Sequence, residues 1–313
     1  MNQDLLNYIK LLSTKDKKTL SQKALKTSEE VGELAKAVLS FDNAYATTHR
    51  FVNKNKILEE VCDTLLTTLS IAYSLGFDDE SIEEIMFLKS EKWTELQLKE
   101  DKITYPIPYE IHVTVKRPDN IDKYQEDCAK IGVKPIVIDL ENGDHDVMTS
   151  SKFFGNNRSS YEKVKSIAKD LTEMGYLVIR EKIETIPFHP SAPSDKFKNN
   201  KMPKDCYFES HIGIRVSSKE DKEKLVDISK KFNGHLSKNF FKKLEDGSYI
   251  QMLTIRNYAT YYESFRSDID NCIKELKDIG FQTEKEIVEF SIYDTKVSHD
   301  FEWLKLDKIA SHV

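Results

Sequence analysis

The sequence predicts a multidomain α and α+β protein: an N-terminal all-α helical bundle followed by two tandem ferredoxin-like βαββαβ repeats. Three observations carry that expectation. Residues 1–100 contain no proline and two glycines, Gly32 and Gly76, with apolar residues at three- and four-residue steps, the period of amphipathic helices. At Pro106 and Pro108 the helical regime stops, and strand-like and helix-like segments then alternate. The later two-thirds resembles itself: FESHIGI (208–214) matches YEIHVTV (109–115), and CIKELKDIGFQTEKEIVE (272–289) matches IAKDLTEMGYLVIREKIE (167–184).

The elements follow in order. A short helix is expected around Leu5–Leu12, and a longer one from about Lys18 to Ser40 through Leu20, Ala24, Val31, Leu34, Ala35 and Val38. The polar stretch Phe41–Arg50 reads as a loop. A third helix spans about Asn53–Leu75 with Gly76 as its stop, and Asp78 or Asp79 caps a fourth that runs through Trp93. The bundle thus occupies 1–103. In the first repeat, 104–188, YEIHVTVK (109–116) reads as a strand and Asn120–Ile131 as a helix. IVIDL (136–140) and VMTSS (147–151) read as strands joined through Asn142-Gly143-Asp144, followed by a helix at Tyr161–Met174 and a strand at Tyr176–Ile183. The proline- and lysine-rich stretch 189–206 reads as a linker or long loop. The second repeat, 207–313, carries a hairpin from Leu236–Lys243 to Tyr249–Arg256 turning at Glu245-Asp246-Gly247, and a C-terminal extension.

Composition narrows the function class. With 313 residues, 39% hydrophobic and 32% charged, the chain is long enough for two or three domains. The net charge of −6 points away from nucleic acid and anionic membranes as general partners. Cys62, Cys128, Cys206 and Cys272 are widely spaced, with no zinc or disulfide pattern, which fits a reducing cytoplasm. The start, MNQDLLNYIK, has no basic region followed by an apolar core, and the most apolar run, around Leu65–Leu75, is too short and too polar to span a bilayer. The expectation is a cytoplasmic protein with no membrane partner.

The chemistry is concentrated in KTSEEVGELAKAVL (26–39) and KILEEVCDTLLTTL (56–69). Glu30 and Glu33 are three residues apart with Glu29 beside them, and Glu60 and Asp63 repeat that spacing with Glu59 beside them. On a helix each pair projects from one face, and two such helices packed antiparallel would gather four carboxylates. Clustered carboxylates repel unless cations sit among them, and hard divalent ions prefer oxygen ligands. Lys26 and Lys56, each four residues before a glutamate, allow the plainer reading of solvated faces with i,i+4 ion pairs. Asp63, in an otherwise apolar helix, weighs toward a metal.

The pattern EExxE followed by ExxD, here Glu29-Glu30-Val31-Gly32-Glu33 and Glu60-Val61-Cys62-Asp63, resembles that of the MazG-like all-α NTP pyrophosphohydrolases. The resemblance covers about residues 15–100, including VGELAKA and the SLGFDDE turn. It implies that Glu30, Glu33, Glu60 and Asp63 bind Mg²⁺ and carry catalysis, with Glu29 a further ligand. It also implies a nucleoside triphosphate substrate cut to a monophosphate and pyrophosphate, and a homo-oligomer, dimer or tetramer, formed through the bundle. Lys89 and Lys92 resemble the family's phosphate contacts, although the asparagine often found near them is absent and Cys62 replaces a small residue.

The repeats offer a second candidate. His112-Val113-Thr114 has the HxT form of the two-histidine phosphoesterases, and His211 aligns with His112, but Gly213 stands where that family needs a hydroxyl. Lys116 aligns with Arg215 and Arg180 with Lys285, which suggests a basic groove for a phosphorylated ligand. Two alternatives to the pyrophosphohydrolase therefore stand: a nucleotide-binding regulatory or interaction protein, and a phosphodiesterase using His112 and His211.

Overall fold

A computed structural model describes residues 2–47, 52–100, 106–140, 145–195, 200–239 and 248–300. The chain divides into two compact units, Met1–Ser90 and Glu91–Val313. Among the described residues, no helix is long and apolar enough to cross a membrane.

The first unit is helical. α1 (Gln3–Lys15) is followed by α2 (Leu20–Phe41), α3 (Lys54–Ser74) and the start of α4 (Asp79–Glu100). Each boundary has a local cause. Thr19 closes a capping box with Gln22 at the start of α2, and Asn53 accepts from the Lys56 N–H at the start of α3. Gly76, at φ +85°, supplies the left-handed residue that ends α3. α3 packs on both α1 and α2. A buried lysine ties the three together: Lys23 Nζ donates to the Ser13 carbonyl (2.8 Å), Ser70 Oγ (3.1 Å) and Ser74 Oγ (2.7 Å). The ammonium's three donors are thus all used away from water.

The second unit is mixed α/β. Its elements are β1 (Ile107–Val115), α5 (Ile121–Lys130), β2 (Lys134–Leu140), β3 (His145–Gly155), α6 (Asn157–Glu173) and β4 (Val178–Thr185). There follow β5 (Tyr207–Val216), α7 (Lys219–Lys231), β6 (Gly234–Asn239), β7 (Tyr249–Asn257), α8 (Tyr262–Asp278) and β8 (Thr283–Asp294). The eight strands form one closed antiparallel barrel in the order β1-β3-β2-β6-β7-β5-β8-β4. Within each half the order is the same: β4-β1-β3-β2 and β8-β5-β7-β6. The halves join edge to edge where β2 meets β6 and where β4 meets β8. Closure leaves neither half with an open strand edge.

Alternation along the strands separates two environments. Ile107, Tyr109, Ile111, Val113 and Val115 of β1 join Val164, Ile167 and Leu171 of α6 in one apolar cluster on the helix-covered outside. On β5, Phe208, Ile212 and Ile214 do the same with Phe265, Ile269 and Leu276 of α8. The intervening residues, Glu110, His112 and Thr114 on β1 and Glu209 and His211 on β5, therefore face the lumen. Gly175 and Gly280, at φ +92° and +95°, turn the chain after α6 and α8 at matching positions.

In the stretch expected to be a linker or long loop, the described residues His189, Ala192 and Ser194 are fully buried. His189 packs edge-on against Tyr109 and stacks near Phe290, with Nε2 3.0 Å from Asn157 Oδ1 and Nδ1 accepting the Ser191 N–H at 3.0 Å. The two expected turns, at 142–144 and 245–247, and residues 48–51 of the expected loop lie outside the described residues.

Candidate functional site

Two clusters of ligand-type side chains occur among the described residues, one in each unit. In the helical unit, Glu30 on α2 and Glu60 and Asp63 on α3 bring ligand oxygens within 4.8 Å of one another. The helices run antiparallel, since Lys23 near the start of α2 meets Ser70 and Ser74 near the end of α3. Glu30 and Glu60 are buried, 7% and 3% exposed, while Asp63 is open to solvent. Glu33 and Glu29 are exposed and outside this three-residue group.

The lysines of the plainer reading are present too. Lys26 reaches Glu29 (3.0 Å) and Glu30 (2.8 Å), and Lys56 reaches Glu59 (3.2 Å) and Glu60 (2.7 Å). These pairs raise the pKa of both lysines, chiefly through the hydrogen bonds to Glu30 and Glu60. They satisfy one oxygen of each buried glutamate. Glu60 Oε2, by contrast, is buried with no hydrogen-bond partner. A buried carboxylate oxygen in that state is costly. An all-oxygen set of three carboxylates with one orphaned oxygen fits a hard divalent cation such as Mg²⁺. Lys89 and Lys92 are exposed on α4.

The second cluster lies in the barrel lumen. Pairing places Glu110 opposite Glu184 and His112 opposite Lys182, and on the other half Glu209 opposite both Arg256 and Glu289. His112 Nδ1 meets the Thr149 carbonyl at 3.1 Å and its Nε2 meets Glu184 at 3.1 Å and Glu110 at 3.7 Å. Both ring nitrogens face acceptors; although burial opposes charge, Glu184 and Glu110 hold the pKa of His112 above its usual value. His211 differs. Its Nδ1 meets a hydroxyl, Thr254 Oγ1, at 2.9 Å, and its Nε2 stands 3.7 Å from Glu289 and 3.9 Å from Glu209. Burial pushes its pKa down despite the charges of Glu209 and Glu184.

Lys182 bridges Glu184 (2.5 Å) and Glu209, and Arg256 adds a 2.6 Å bond to Glu209. Burial works to raise the pKa of Glu184 and Glu209, but Lys182 brings Glu184 well below the carboxylate range, and Arg256 and Lys182 bring Glu209 below it as well. Glu289 goes the other way: burial and the charges of Glu184, Glu110 and Glu91 push it well up.

Two of the four residues of the expected basic groove are paired with carboxylates of the chain. Arg180 is buried and bound bidentately to Asp294 (2.9 and 2.6 Å), and Arg215 pairs with Glu284 at 2.9 Å. Both charges are answered by the chain's own carboxylates, and Arg180 reaches Asp294 because Thr114↔Arg180 and Lys182↔Asp294 share the lumen face. The two histidines do share the lumen, but His112 bonds a backbone carbonyl of β3 and His211 a side-chain hydroxyl of β7. Lys182, Glu184, Arg256 and Glu289 were not singled out in the sequence, although Glu184 and Glu289 close the aligned segments 167–184 and 272–289.

No family model and no curated protein matches the chain. Among solved structures, the small subunit of acetolactate synthase from Thermotoga maritima is similar at 16% identity and a TM-score of 0.22, over 60% of this chain and 96% of that one. A likeness that loose carries no argument about function.

Proposed function

We propose that the chain is a Mg²⁺-dependent nucleoside triphosphate pyrophosphohydrolase, acting on an NTP or dNTP through the carboxylates of its helical unit. The observation that supports this reading best is the convergence of Glu30, Glu60 and Asp63 around the orphaned Glu60 oxygen. When bound, Mg²⁺ would neutralise the triphosphate and acidify a water for attack on the α–β anhydride. Glu30, Glu60 and Asp63 would hold the ion, and Lys26 and Lys56 would keep the two buried glutamates aimed. Glu33, one helical turn from Glu30 and open to solvent, would take the proton from the attacking water, with Glu29 beside it. Lys89 and Lys92 would meet phosphate oxygens.

The helical unit is proposed to work as a homo-oligomer. Leu25, Leu58, Met86, Ile85, Val31 and Leu65 expose 71, 61, 62, 55, 49 and 46% of their surface, more apolar area than a small monomeric bundle ordinarily leaves in water. The barrel is read as two copies of one ferredoxin-like unit, on the shared element order and the matched residues of the two halves, and as the accessory module of a cytoplasmic enzyme.

The experiment is pyrophosphate release from a panel of NTPs and dNTPs with Mg²⁺, comparing the wild type with Glu60→Gln and Asp63→Asn. Both substitutions should lower release by about 100-fold or more, since each removes a charged metal ligand. Release that persists in both variants, or none from any nucleotide, sinks the proposal; nucleotide binding without turnover would favour a regulatory role.

A further inference from the structure

We propose that the barrel lumen is a second metal site, in which Glu184, His211 and Glu289 bind a first-row divalent ion of the zinc class. The three residues come from β4, β5 and β8, adjacent strands around the wall. One ligand atom from each lies within 4.8 Å of the others. Donors about 2.0–2.2 Å from a zinc-sized ion stand roughly 3–4 Å from one another. The 3.7 Å between His211 Nε2 and Glu289 Oε2 falls in that range and is too long for a hydrogen bond.

The state of His211 is the second reason. When its Nδ1–H donates to Thr254 Oγ1, the Nε2 lone pair looks toward Glu209 at 3.9 Å and Glu289 at 3.7 Å. A ring held through one nitrogen by an outer oxygen, with the other nitrogen presented inward, is the usual posture of a metal-binding histidine. His112 is not in that posture, because the Thr149 carbonyl and Glu184 occupy both of its nitrogens.

A third, independent observation lies on the same face. Ser291 pairs with Glu184 on one side and Tyr207 on the other, so its hydroxyl faces the lumen. It is fully buried, and its Oγ has no hydrogen-bond partner. A metal-bound water beside Glu289 would donate to that hydroxyl and give it a partner. On binding, Lys182 would give up Glu184 and keep Glu209, to which it is already bonded.

The donor set separates this site from that of the helical unit. An imidazole with two carboxylates suits zinc, iron or cobalt, whereas three carboxylates suit magnesium. An eight-stranded barrel has room inside for side chains or one small ligand, so the ion would keep one open position at most a small molecule's width across.

The test uses the intact chain carrying Asp63→Asn, which weakens the helical-unit site, stripped with chelator and titrated with Zn²⁺ and with Co²⁺ as an optical probe. One equivalent of Zn²⁺ and a visible Co²⁺ band are expected. Glu289→Gln and His211→Ala should each weaken binding at least 10-fold. X-ray absorption at the zinc edge should show one imidazole among oxygen donors, a readout that needs no lumen variant to fold. The inference is overturned if no equivalent binds, if both variants bind within twofold of the parent, or if the zinc shell lacks imidazole. Pyrophosphate release enters none of these readouts, so failure here leaves the proposed enzymatic reading untouched, and the reverse.

Discussion

Replacing Asp294 with alanine should destabilise the barrel unit severely. The side chain is fully buried and Arg180 is 4% exposed. Asp294 accepts from Arg180 Nε at 2.9 Å, Arg180 Nη2 at 2.6 Å, the Tyr207 hydroxyl at 2.8 Å and the Lys296 N–H at 3.0 Å. Breaking a buried ion pair by removing one partner strands the other charge and costs about 3–5 kcal/mol. For a unit of some two hundred residues, each kcal/mol moves the midpoint by about 2–4 °C, so Tm should fall by roughly 6–20 °C. Replacing both partners, Arg180→Met with Asp294→Leu, removes the stranded charge and should recover to within about 2 kcal/mol of wild type. Urea unfolding followed by near-UV circular dichroism reads both numbers. The pH dependence has a defined sign. Burial raises the pKa of Asp294 but Arg180 more than offsets it, so the folded value lies below the ordinary 3.8. The pair's contribution is therefore complete above that value and is lost as pH falls through the lower, folded one. The gap between wild type and variant should close only in acid below about pH 4. A single-variant cost under about 1 kcal/mol, or a double variant as unstable as the singles summed, would overturn this account.

Two further outcomes follow from buried groups elsewhere. Lys23→Met leaves the Ser13 carbonyl and the Ser70 and Ser74 hydroxyls without the ammonium that links α1, α2 and α3, and should cost about 1–3 kcal/mol. Amide exchange should show the loss first in α1, and an unchanged urea midpoint would contradict it. Burial lowers the pKa of His189 from 6.5 to about 4. The unfolded chain then binds the proton that the folded chain refuses, so stability should fall as pH drops from about 6.5 toward 4, by about 3 kcal/mol in all. His189→Asn should flatten that part of the profile; a wild-type profile already flat there would rule the assignment out.

The helical unit illustrates what local pattern can carry. Apolar steps, Thr19, Asn53 and Gly76 place its helices within a few residues of their ends, because caps and helical period are written in neighbouring residues. The carboxylate spacing was equally plain, since i,i+3 fixes which residues share a face of one helix. Which oxygens meet was not: packing of α2 on α3 joins Glu30 with Glu60 and Asp63 and leaves Glu33 outside.

The barrel is the reverse case. Repeated segments and strand alternation were legible, and with them the equivalence of His112 and His211. Closure was not, because it depends on the pairing of β2 with β6 and β4 with β8, between residues about a hundred positions apart. Closure gives the alternation its meaning: it turns one face of every strand into a shared interior. There Glu184 and Lys182 of one half meet Glu209, His211 and Arg256 of the other. Arg180, which in sequence suggests a phosphate contact, meets Asp294 across the same seam and is neutralised. The elements, their caps, the carboxylates of the helical unit and the equivalent pair of histidines can be read from chain order. Which of those charges face one another is settled only when the strands and helices pack, because Coulomb energy and desolvation depend on distance and burial, and neither is a property of chain order.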